Sequence, residues 1–188
     1  MDVLGYVEAM YEHCPFLEVS TARGMTGWTV YEVTAGAHRY AVEAELFHAA
    51  VQAAESVRRS ARRHSALACE NIVVLAGVSD VDHRNLMAWP HWALKHLYGP
   101  VGIMFGKFAR GVQERDRSGG NIPPAPFSFL PVRASVRRLD PDFLKTTPEL
   151  STALAAADDD GRDVFEKIPC DWKSVRQWAS SLPAPQKR

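Results

Sequence analysis

The sequence has few cysteines, no net charge and no long apolar run, and each lack removes a class of protein. Cys14, Cys69 and Cys170 are the three cysteines in 188 residues. They are odd in number, widely spaced and contain no Cys-x-x-Cys pair, so no disulfide framework, zinc motif or dithiol redox motif is supported. Lysine plus arginine number 22, as do aspartate plus glutamate. Zero net charge gives no overall field toward nucleic acid or an anionic membrane, and neither is expected as a partner. No stretch of about twenty apolar residues exists. The opening residues, Met1-Asp2-Val3-Leu4-Gly5-Tyr6-Val7-Glu8, lack the basic start and apolar centre of a secretory signal. The expectation is a cytoplasmic protein that meets a small-molecule substrate, with a homodimer allowed.

What is present suffices for one domain over 1–183, with a short tail at 184–188 expected to be disordered. The most informative stretch runs from Asn85 to Arg110. It reads as a helix stopped by Gly99-Pro100, because Gly accepts a left-handed turn and Pro cannot continue the helix. A buried strand over 101–108 should follow. His91 and Lys95 share one face of this helix, as do Trp92 and His96. Gly102 and Gly106 interrupt the strand, and glycine inside a strand marks close approach by a ligand or another backbone. Together these features suggest the wall of a pocket.

Elsewhere the apolar spacing predicts a helix over 2–12, ended by Cys14-Pro15, since proline pushes the preceding residue toward an extended conformation. A β-branched and aromatic run predicts a strand over 28–34, with His38 to Ala41 as the start of a returning partner. The longest helix should span 42–64, with Arg58, Arg59, Arg62 and Arg63 as a solvated basic end and His48 as a structural histidine. The uninterrupted apolar run Ile72-Val73-Val74-Leu75-Ala76 fits a central strand over 71–78. Asp80, Asp82 and His83 suit helix capping better than metal binding. Gly111 to Pro126 is a long polar and proline-rich loop, which is either a cover over a site or a flexible insertion. The last strand, 127–137, places Phe129, Pro131 and Arg133 on one face, where Arg133 is suited to hold a carboxylate. Helices then complete the chain, one opened by Thr147-Pro148. The predicted fold is α+β: a mixed or antiparallel sheet of four to five strands covered by helices, ferredoxin-like in one arrangement, with a helical C-terminal segment.

Cys14-Pro15-Phe16, the central apolar strand, Gly102-Ile103-Met104-Phe105-Gly106-Lys107-Phe108, Phe129-Leu130-Pro131-Val132-Arg133 and Asp142-Phe143-Leu144 together resemble a bacterial family, domain-of-unknown-function family 6875, over about residues 13–157. That family is in turn distantly similar to the YqcI/YcgG family, which includes haem-dependent N-hydroxylases of guanidino compounds. The resemblance implies a small haem-binding oxidative enzyme of specialised metabolism, acting on nitrogen of an amino-acid-like substrate. Many relatives carry His-Pro after the Gly-x-Phe segment, whereas this chain has Ala109-Arg110, so if that histidine binds iron in relatives this chain uses another ligand or binds no haem.

Two functions therefore stand open. In the first, His91 or His96 is the axial haem ligand, or Cys14 presents a thiolate. Trp89, Trp92 and Tyr98 line the porphyrin, and Lys107 or Arg133 holds a propionate or substrate carboxylate. In the second, the chain is a non-enzymatic small-ligand carrier or a protein-interaction module that uses helix 86–98 as an aromatic anchor.

Overall fold

The run that begins at Trp28 carries side chains suited to a pleated surface, and it forms β1 (Thr26–Val33). The computed structural model describes residues 3–33, 38–64, 68–76, 80–116 and 118–183. Helix α3 (Arg39–His64) spans 26 residues and leads into β2 (Cys69–Ala76), which lies parallel to β1 with Thr26 opposite Cys69. The residues expected to start a returning strand instead enter this helix at Arg39. Helix α4 (Asp80–Tyr98) ends where Gly99-Pro100 opens a single 3-10 turn. Gly102 then adopts a left-handed conformation with φ of 76°, which a β-carbon would strain. The strand predicted over 101–108 shrinks to β3 (Ile103–Phe105), with Phe108 returning as one bridge to Phe129.

A hairpin of β4 (Glu114–Arg115) and β5 (Asn121–Ile122) follows. Finally β6 (Ser128–Ala134) inserts antiparallel between β2 and β3, giving the order β1-β2-β6-β3. The α+β class and the four-stranded mixed sheet are those predicted. The ferredoxin-like arrangement is not what forms, because a helix follows β2 where that motif requires a strand, and β1 and β2 are parallel neighbours. The reason is β2 itself: Ile72 and Val74 are buried on one face and Val73 on the other, which places the strand inside the sheet.

Ile72, Val74, Leu130 and Val132 pack with Leu46, Phe47 and Leu94 of the two long helices. Trp172 and Val175 of α6 (Trp172–Ser180) close that side. On the opposite face Val73 and Phe129 meet Tyr6 and Met10 of α1 (Val3–Met10) and Ile122 of β5. Pro15 does not merely end α1; it occupies the first turn of a further helix, α2 (Pro15–Ala22), with Cys14 extended at its N-cap. The periodicity of eight residues was too short to mark this helix in the sequence. Helix α5 (Pro148–Ala155) starts at the proline, as expected, and sets Leu150 and Leu154 on Leu144 beyond the β3 edge. The expected tail, 184–188, lies outside the described residues.

The basic end of α3 is not wholly solvated. Arg58 is 3% exposed, and its guanidinium donates to Asp159 at 2.6 Å and to Glu55 at 2.8 Å. Burial opposes its charge, but those hydrogen bonds prevail and hold it protonated. His48, by contrast, is exposed. Among the described residues no helix is long and apolar enough to cross a membrane.

Gly106 shows the close approach its position in the sequence suggested. A β-carbon there would lie 2.7 Å from Cγ of Pro131, a rigid ring on the neighbouring strand. Gly106→Ala is therefore expected to cost about 1–3 kcal/mol, read as a lowered urea midpoint with an unchanged slope.

Candidate functional site

Alternation along β6 sends Leu130 and Val132 toward the long helices and Phe129, Pro131 and Arg133 to the other face. Those three residues floor a cavity of about 450 Å³, within the usual range for small-molecule sites. Tyr6, Met10, His13, Cys14 and Leu17 of the α1–α2 segment roof it, while Glu114, Arg115, Asp116 and Ile122 bring the β4–β5 hairpin over one side. Part of the long loop thus lies against the cavity. Most of the lining is apolar and aromatic: Phe108 stacks on Phe129 at 4.9 Å, and Tyr6 meets the Phe129 edge at 6.2 Å. The Tyr6 hydroxyl and the side-chain NH2 of Asn71 are buried donors without a hydrogen-bond partner among the described residues, and both residues line the cavity. Burial pushes the Tyr6 hydroxyl up to about 12, so it stays a neutral donor.

Four cations border this apolar space; Arg115 is exposed on the hairpin, and the other three differ in how they are compensated. Arg133 is committed: its two terminal nitrogens donate to the Asp140 carboxylate at 2.8 and 2.7 Å, and Phe16 lies under the guanidinium at 4.8 Å. Burial opposes the Arg133 charge, and the paired hydrogen bonds to Asp140 outweigh it. Lys95 and Lys107 are not committed. Neither has a hydrogen bond or ion-pair partner among the described residues. Burial, then the nearby Lys107 charge, pulls the Lys95 amine down to about 8. Burial and Arg84 lower Lys107 in turn, against a weaker opposing pull from Glu114. His91, one turn before Lys95, donates from Nε2 to the Phe105 carbonyl at 3.2 Å and is held neutral mainly by burial. These three residues, with Phe143 and Leu144, also line a second cavity of about 490 Å³ walled by Trp89 and Trp92. They therefore form the partition at which two chambers meet.

A second polar group faces the first chamber. His13 donates from Nδ1 to Asp116 at 2.8 Å, which leaves Nε2 with no protein partner among the described residues. That hydrogen bond, with others from Ser118 and Gly120, holds the Asp116 carboxyl down to about 2. Asp116 thus fixes the imidazole orientation, as carboxylates do for histidine ligands and bases. Cys14 adjoins this pair, and Cys69 lines the same cavity with its thiol pushed up to about 12, first by burial.

Four of the five candidates named from the sequence therefore line one cavity: Cys14, His91, Lys107 and Arg133. His96 does not join them. It packs against Trp92 at 4.4 Å and Trp178 at 6.4 Å, and burial brings its imidazole down to about 4. Tyr98 also lies elsewhere, fully buried against the long helices and donating to Glu55 at 3.1 Å. His83 bonds Ser128 at 2.8 Å, and among the described residues no cluster of three or more metal-ligating side chains occurs. Sequence analysis missed the His13–Asp116 pair and the isolation of Lys95. Partners 103 positions apart carry no local signal, although the lone lysine on an otherwise aromatic helix was a trace of the second. Comparison of the chain with protein-family models, with curated proteins and with solved structures finds no match.

Proposed function

We propose that the protein binds a small molecule with an apolar body and an anionic group, the body resting on Phe108 and Phe129 and the anion held between Lys95 and Lys107. The observation that carries this is the pair of lysines on a largely apolar cavity, neither in ion-pair contact with a carboxylate among the described residues: Asp116 is engaged by His13, and Glu114 exerts only a weak pull on Lys107. Isolated ammonium groups are costly away from bulk water, and a bound anion relieves that cost. Calorimetry with octanoate and octanol tests the assignment. Octanoate is expected to bind at least about tenfold more tightly, a difference of about 1.4 kcal/mol, and Lys107→Gln to remove that preference. Equal binding of acid and alcohol would overturn it.

Haem belongs to the same chemical class, a flat apolar body bearing carboxylates, and the His13–Asp116 pair favours it as a second reading. Nε2 of His13 or the Cys14 thiolate would hold the iron, with Asp116 orienting the imidazole and Lys107 meeting a propionate. Bound in this way, haem supplies oxidative chemistry. The resemblance to the N-hydroxylase family supports that direction, including an amino-acid-like substrate oxidised at nitrogen. Haemin titration gives the readout: a sharp Soret band at about one haem per chain, lost in His13→Ala or in Cys14→Ala, is the expected result. A spectrum identical to free haemin would leave the carboxylate-binding function alone standing. The structure lends less support to an interaction module, since Trp89 and Trp92 are half-buried and wall the second chamber.

A further inference from the structure

Lys95 is set apart from the other lysines by its surroundings. It stands on a 19-residue helix packed against the sheet, so its stem has a rigid base. Its amine has no hydrogen-bond or ion-pair partner among the described residues, and Lys107 is a cationic neighbour in the same wall. Two ammonium groups confined in a low-dielectric wall without a counter-ion have two ways to relieve the cost. They take up an anion, or one of them gives up a proton. If the anion of a ligand rests on Lys107, the second outcome leaves Lys95 as a free amine beside that ligand. Lysines desolvated beside another cation are how proteins prepare an amine nucleophile.

We propose that Lys95 is a nucleophile that forms an imine with an oxo acid, a ligand whose carboxylate pairs with Lys107 and whose ketone or aldehyde carbon meets the Lys95 amine. The Nζ lone pair of the neutral amine forms a C–N bond to the carbonyl carbon; the two protons of that nitrogen pass to the carbonyl oxygen, the C–O bond breaks to release water, and C=N remains. The neutral His91 imidazole, one turn away, adds no third positive charge to the wall. Apolar flesh of the oxo acid occupies the aromatic floor, so longer-chain or aromatic oxo acids fit better than pyruvate. This inference rests on the anionic-ligand function above.

The test uses the whole chain with 2-oxooctanoate and cyanoborohydride, a hydride donor that reduces an imine to a stable secondary amine, followed by peptide mapping. The adduct is expected at Lys95 at least about tenfold above the exposed Lys145 and Lys173, and excess octanoate should suppress it. Lys95→Arg should lose the adduct, whereas Lys145→Arg, outside both chambers, should keep the adduct and octanoate binding alike. Labelling spread evenly over the lysines, or octanoate binding without any Lys95 adduct, overturns the imine and leaves the ligand class intact. Failure of octanoate to bind the unaltered protein overturns the ligand class itself.

Discussion

Asp140→Ala should lower stability by about 3–5 kcal/mol, the range found when one member of a buried ion pair is removed. Asp140 is completely buried, takes both terminal nitrogens of Arg133, and also accepts from the Val136 backbone at 2.5 Å. Removing it leaves a guanidinium enclosed beside Phe16 and an amide without its acceptor. With urea slopes of about 1–3 kcal/mol per molar, the midpoint should fall by roughly 1–3 M. Arg133→Met with Asp140→Leu should recover part of the loss, because an apolar pair needs no counter-charge. A single Asp140→Ala variant as stable as the parent would show that Arg133 finds other solvation in the cavity.

Raising the pH should strengthen the fold over a window where most proteins gain nothing, and weaken its grip on carboxylates. The Lys95 amine titrates near 8 in the folded state and near its ordinary value of 10.5 when unfolded. Between those values the unfolded chain binds more protons, so stability rises with pH; below about 8 both states carry the charge and the contribution is flat. The gain is on the order of 2 kcal/mol once solvent at the cavity mouth screens part of the shift. Lys107, His91 and His96 are the titratable groups around this amine, with Arg84 and Glu114 acting through Lys107. Subtracting the urea-unfolding pH profile of Lys95→Met from that of the parent isolates the slope. An anion favours the ammonium form, so octanoate binding near pH 8 to 9 should take up a proton, visible as a buffer-dependent heat. A flat difference profile would mean that Lys95 keeps its ordinary titration.

The sequence revealed elements that depend on local pattern and hid those that depend on distant partners. Ile72 to Ala76 announced a central strand, and Gly99-Pro100 announced the end of α4, because an apolar run and a stop signal are written in adjacent residues. Arg133 was legible by alternation, yet its commitment to Asp140, seven positions on, was not, since the chain between them must turn before the pair can meet. His91 and His96 sit five apart on one helix and look equivalent in sequence. Helix rotation sends one to the cavity wall and the other between Trp92 and Trp178. His13 lies just past the end of the first predicted helix, and only the hairpin carrying Asp116, folded back across the sheet, gives it a role.

The walls of the main chamber come from five separate parts of the chain: the α1–α2 segment, β1, the β2 segment, the stretch from His91 to Ile122, and β6 with its following turn. No one of these parts holds half of the wall, so the chamber exists only when the long-range contacts exist. Occupancy and folding are consequently one linked equilibrium. A ligand present at a hundred times its dissociation constant adds about 2.7 kcal/mol to the folded state as a whole. A rise in melting temperature is then a direct gauge of chamber filling, and a library of oxo acids and carboxylates can be ranked without knowledge of any reaction.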